Sequence, residues 1–160
     1  MASVHARELM FAIRDWPKLI AQSFKHLKPG GYLEAAGTVP LMLSDDNTFP
    51  PNTAYAELGK IYFEIGEAVG ASAHAPTYWK KQFEDQGFVD VQETVFKVPT
   101  NPWPKDRRMK EIGAFELVQF RDRIEGLFLR GYTQVLKGDP AYLREFELWF
   151  LLFMLLVDAD

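Results

Sequence analysis

Trp16, Leu19, Ile20, Phe24 and Leu27 recur at three- and four-residue intervals, one face of an amphipathic helix. Asp15 is a natural N-cap for it and Pro17 suits the first turn. Lys28 stands where a cation favours a helix C-terminus. Pro29 cannot continue the helix, and Gly30-Gly31 supply the turn into an extended segment that begins at Tyr32-Leu33. A helix, a two-glycine turn and a strand make half of a βαβ unit.

Further along, Leu58, Ile61, Tyr62, Ile65 and Val69 line one face of a helix predicted over Ala54–Val69, with Thr53 as its N-cap. Gly59 and Gly66 weaken that helix, which therefore relies on packing. A second helix is expected over 75–86, entered through Pro76 and closed by Gly87. Residues 88–98 then read as a strand. The first strand of the pattern, 32–43, is interrupted by Gly37 and Pro40, which points to a bulge or an edge. With a stub near residue 4, three strands are expected. Pro99 to Pro104 is a stiff connector holding Trp103. Helices follow over 105–119 and 120–136, with Ile112, Phe115, Val118, Ile124, Leu127, Phe128 and Val135 as their apolar stripe. Asp139-Pro140 starts a last helix.

That last helix carries ten consecutive apolar residues, 148–157. A membrane span needs ~20, so no span is expected. A helix apolar on every side must be buried against something. Open strand edges also recruit partners. These features predict a homodimer formed through the 148–157 helix and the sheet edges.

Composition narrows the picture. The chain has 160 residues, 48% hydrophobic and 25% charged, which suits one folded domain rather than a disordered segment. The expected division is a partial α/β core over 1–104 and C-terminal helices over 105–160. The net charge is −4 and no basic stripe occurs, so nucleic acid is not an expected partner. There is no cysteine, which excludes a disulfide scaffold, a thiol nucleophile and a Cys-ligated zinc. Asp45, Asp46 and Asn47 imitate the start of a calcium loop, but the later Gly and Glu are not at the required spacing, so no metal site is expected. The N-terminus has no signal-peptide pattern, which makes a cytoplasmic location the default.

Several of these segments resemble a known family. Val4-His5-Ala6-Arg7, Ile13-Arg14-Asp15-Trp16-Pro17 and His26 to Gly31 with Glu34 closely resemble the second half of class I S-adenosylmethionine-dependent methyltransferases. The nearest likeness is to the fungal LaeA-like and UMTA-type group tied to secondary metabolism. The run from Tyr78 to Val91 is similar to the family's late helix and sixth strand. The likeness extends from residue 4 to about 136. It implies an α/β, helix-rich, Rossmann-like fold that is incomplete here. The family's Gly-rich loop and ribose-binding acid lie before this region, and only three residues precede Val4. A truncated domain is therefore expected. No cofactor is expected in isolation, and S-adenosylmethionine only with a partner that supplies the missing half.

The resemblance also marks candidate site residues. Ser3, His5 and Arg7 would face the cofactor if it is bound. His5, Glu34 and His74 are the candidate catalytic residues, since an imidazole or carboxylate can deprotonate a hydroxyl acceptor. Tyr55, Tyr62, Trp79 and Trp103, with Phe63 beside them, would line an aromatic pocket for a small hydrophobic natural product. Three functions fit: methyl transfer in secondary-metabolite biosynthesis, a cofactor-independent cyclase or isomerase acting on a polyketide or terpenoid, and a non-catalytic interaction subunit.

Overall fold

The computed structural model describes residues 2–44 and 53–156. The acidic run 45–47 and Val157 lie outside them, as do the side chains of Ile124 and Leu127. The elements are β1 (Ser3–Arg7), α1 (Trp16–His26), β2 (Tyr32–Ala36), α2 (Ala54–Val69), a 3₁₀ turn (Ala75–Tyr78), α3 (Trp79–Gln86), α4 (Arg107–Arg130), a π turn (Gly131–Val135) and α5 (Pro140–Leu156). β1 and β2 pair in parallel, with Ser3 opposite Tyr32 and Arg7 opposite Ala36. The chain is thus a helix-rich α/β arrangement, and among the described residues it has two strands.

The local signals explain most of these boundaries. Asp15 Oδ1 accepts from the Lys18 N–H at 2.9 Å and caps α1. Lys25 and His26 fill its last turn, so Lys28 falls beyond the helix. Gly30 turns the chain at φ +76°. α2 occupies the expected span, and Thr53 Oγ1 accepts from the Ala56 N–H at 3.3 Å. Gly87, at φ +104°, closes α3 in the left-handed conformation that favours glycine.

Three expectations are corrected. The strand expected over 32–43 ends at Ala36, just before Gly37. The strand expected over 88–98 does not form, and Val89, Val95 and Phe96 are exposed. Its residues have strand propensity, but a strand also needs a neighbour to exchange hydrogen bonds with, and none lines up beside it among the described residues. The two helices expected over 105–136 are one continuous α4 followed by the π turn. Gly126 is tolerated inside α4, where a helical glycine costs only ~1 kcal/mol.

The chain forms two compact units. One comprises Met1–Leu41 and Tyr62–Thr94, the other Met42–Ile61 and Val95–Asp160. In the first, α1 and α3 pack together over the inward face of the sheet. Ala6, Trp16, Ile20, Ala75 and Trp79 form its buried centre, with Leu33, Ala35 and Phe83 against them. The rings of Trp16 and Trp79 meet at 4.5 Å between centroids, tilted by 51°. In the second, Leu58, Phe128, Leu143, Phe146 and Phe150 are buried. Phe150 stacks on Tyr55 at 5.7 Å and meets Phe120 at 5.4 Å. The connector that holds Asn101 crosses α4 at Gly113. A Cβ there would overlap the Asn101 carbonyl oxygen, so only glycine lets the two backbones approach.

Candidate functional site

Alternation along the two strands divides the sheet into unlike faces. Val4, Ala6, Leu33 and Ala35 point towards the helices and are buried or half-buried. Ser3, His5, Arg7, Tyr32 and Glu34 point outward and are exposed. Parallel sheets normally have both faces covered, so an outward face made of polar and aromatic side chains is unusual.

On that face two of the candidate residues come together. His5 and Glu34 are register partners, and His5 Nδ1 stands 2.8 Å from Glu34 Oε2. Both side chains are 66% exposed. A polar contact that open to water contributes at most about 1 kcal/mol to stability. Its packing value is small, which leaves its chemistry as the more informative property. Arg7 has no ion pair among the described residues.

His74 is held elsewhere in the same unit. Its ring lies flat on Phe63, 3.9 Å between centroids and 7° from parallel. Its backbone N–H donates to Ser72 Oγ at 3.3 Å. Tyr62 stacks with Phe11 at 6.1 Å. Trp79 is buried against Trp16, and its Nε1 has no hydrogen-bond partner among the described residues. In the second unit, Tyr55 is buried, which pushes its phenol above the ordinary value. A hydrogen bond with Thr100 opposes that shift and Glu116 adds to it. Trp103 is 61% exposed. Tyr62 and Trp79 thus belong to one unit, and Tyr55 and Trp103 to the other.

A small cleft sits at the carboxyl edge of β1 and β2, where open α/β sheets bind ligands. Met10, Phe11, Trp16, Gly37, Thr38 and Trp79 are among its lining residues. Its free volume is about 10 Å³, room for roughly one water molecule. A Cβ at Gly37 would stand 2.8 Å from the Trp79 ring, so glycine is what lets the strand end pass over the indole. The turn after β1 is strained: Glu8 and Phe11 take φ values of +48° and +63°. Glu8 is tied across to the end of β2, its carboxylate accepting from the Thr38 N–H at 3.4 Å and from Thr38 Oγ1–H at 3.3 Å. Glu8, Gly37 and Thr38 were not among the candidates read from the sequence. The only signal was Gly37 itself, a glycine inside a strand pattern, which often marks a close approach.

The cleft is far too small for a nucleoside such as S-adenosylmethionine. Ser3, His5 and Arg7 lie on an open face that has no enclosing wall among the described residues of this unit. The residues of the first unit therefore do not by themselves fit that cofactor. Among the described residues no cluster of three or more His, Cys, Asp or Glu is placed to hold a metal ion.

Comparison with known proteins identifies the class. The chain belongs to a family of fungal methyltransferases and LaeA-type regulators of secondary metabolism. It is 34% identical, over 86% of its length, to the methyltransferase pytC of Aspergillus terreus, covering 42% of that protein. It is 31% identical over 85% of its length to the secondary metabolism regulator LAE1 of Cochliobolus heterostrophus, covering 45% of it. A third relative, the probable methyltransferase tdiE of Emericella nidulans, is 31% identical over 69% of this chain and is covered to 35%. The chain thus spans less than half the length of these relatives. No family model and no solved structure matches it. Among the described residues no helix is long and apolar enough to cross a membrane.

Proposed function

We propose that this chain is the acceptor-side portion of a class I methyltransferase fold and acts in secondary-metabolite biosynthesis on a small hydrophobic natural product. The observation that carries this reading is the 34% identity to a methyltransferase over 86% of the chain. The parallel pair β1–β2, joined through α1, supports an incomplete Rossmann-like sheet. Bound S-adenosylmethionine would supply an electrophilic methyl group. The water-sized cleft argues that the cofactor is held only when a partner contributes the remaining walls. Calorimetry of the purified chain with S-adenosylmethionine tests this. No heat of binding is expected from the chain alone, and a micromolar dissociation constant would overturn the need for a partner.

A second reading, an interaction subunit that pairs with a copy of itself, is favoured by α5. Leu143, Phe146 and Phe150 fill the interior of their unit, whereas Leu148, Trp149 and Leu152 are 65%, 63% and 51% exposed. Exposed apolar stripes of this kind mark association surfaces. Sedimentation at micromolar concentration decides it, since a single monomeric species is incompatible with a homodimer through α5.

A further inference from the structure

We propose that His5 and Glu34 are a working acid–base pair on the outward face of the sheet, with Glu34 the positioning residue and His5 Nε2 the proton acceptor. An ionised carboxylate can only accept hydrogen bonds. The 2.8 Å contact therefore places the proton of the neutral imidazole on Nδ1 and leaves the Nε2 lone pair outward. Nε2 has no hydrogen-bond partner among the described residues. Fixing one tautomer through the far nitrogen is how a carboxylate prepares a histidine for proton transfer.

The neighbours of the pair define what it would meet. Strands rise ~3.3 Å per residue. Arg7 therefore lies about 7 Å from His5 towards the carboxyl edge, and Tyr32 lies about 7 Å from Glu34 in the other direction. Tyr32 is 77% exposed and offers a stacking surface. Arg7 is placed to pair with an anionic oxygen. Base and cation are thus separated by about 7 Å. That spacing suits an acidic hydroxyl compound, a phenol or enol, that carries an anionic group across a ring. In the transfer the ligand's O–H bond breaks and an N–H bond forms at His5 Nε2. The electron pair stays on the ligand oxygen and the imidazolium carries the proton. This deepens the preceding reading, on which it rests for the ligand class alone. A hydroxyl acceptor has to lose its proton, whichever group it later receives.

The alternative is a solvated cross-strand pair with no task. Long-range ¹H–¹⁵N NMR of the imidazoles in the full chain separates the two. The expected result is a neutral His5 held in the Nδ1–H form, shifting towards the Nε2–H form in Glu34→Ala. The same tautomer mixture in both proteins overturns the pair. Titration with 4-hydroxybenzoate, with benzoate as the control lacking the hydroxyl, tests the ligand class. 4-Hydroxybenzoate is expected to move the Nε2 resonance while benzoate does not, and Arg7→Ala is expected to weaken its binding at least threefold. Equal effects of the two compounds, or no binding of either, overturn the assignment of the face. Neither measurement involves S-adenosylmethionine, so their failure is distinguishable from failure of the methyltransferase reading.

Discussion

In the unit of Met1–Leu41 and Tyr62–Thr94, α3 turns Trp79 and Phe83 inward and keeps the Lys81–Asp85 pair outside. In the unit of Met42–Ile61 and Val95–Asp160, α5 is apolar on opposite sides, burying Phe146 and Phe150 while showing Leu148, Trp149 and Leu152 to solvent. One helix has a finished surface and the other does not. Charge patterning separates them: α3 alternates charge with apolar residues, whereas the second half of α5 has no charged position to turn outward. A helix of the first kind is complete within its unit. One of the second kind has its surplus apolar face available for association.

The largest expected effect lies in the finished unit. Trp79→Ala removes the ring that meets Trp16 and leaves a cavity, and should cost about 3–5 kcal/mol in urea unfolding. A cost below about 1 kcal/mol would show that this core is not close-packed. In the other unit, Gly113→Ala places a methyl group against the Asn101 carbonyl and should cost about 3 kcal/mol, near the top of the usual overpacking range. The outer face of α5 should behave differently. The double change Leu148→Glu with Leu152→Glu should alter monomer stability by only about 0.5 kcal/mol, as exposed substitutions do, while converting a dimer to a monomer in sedimentation. A large loss of stability instead would mean that this face is internal. The smallest effect concerns Tyr55. Its buried phenol ionises above the ordinary value of 10.0. The unfolded chain therefore gives up that proton first as pH rises. The stabilisation is fully present below pH 10 and is lost as pH climbs through the folded value. Tyr55→Phe should flatten the alkaline end of the stability curve.

The elements that were legible in the sequence are those fixed by local chemistry. Asp15, Thr53 and Gly87 each act on groups within a few residues of themselves, and α2 and the end of α3 follow from them, whereas the first turn expected of that helix, Ala75–Tyr78, is 3₁₀. What stayed hidden depends on distant partners. The expected strand over 88–98 has suitable residues and no neighbour among the described residues, and β2 stops at Ala36, before Gly37 passes over Trp79. The π turn after α4 has no sequence signature. The same division holds at the site. His5 and Glu34 were each identifiable as candidates, but their contact depends on the strand register, which joins residues 29 positions apart. Glu8 and Thr38, 30 positions apart, were hidden for the same reason.

The exposed stretch 89–98 has a consequence for the protein outside its folded state. It combines exposed valines and a phenylalanine in a run of strand-forming residues, the ingredients of stacking into cross-β fibrils. Asp90, Glu93 and Lys97 interrupt it at close intervals and act as gatekeepers, since like charges repel when identical segments stack in register. Neutralising all three would remove that barrier, and the unfolded chain would then deposit fibres on heating or prolonged storage.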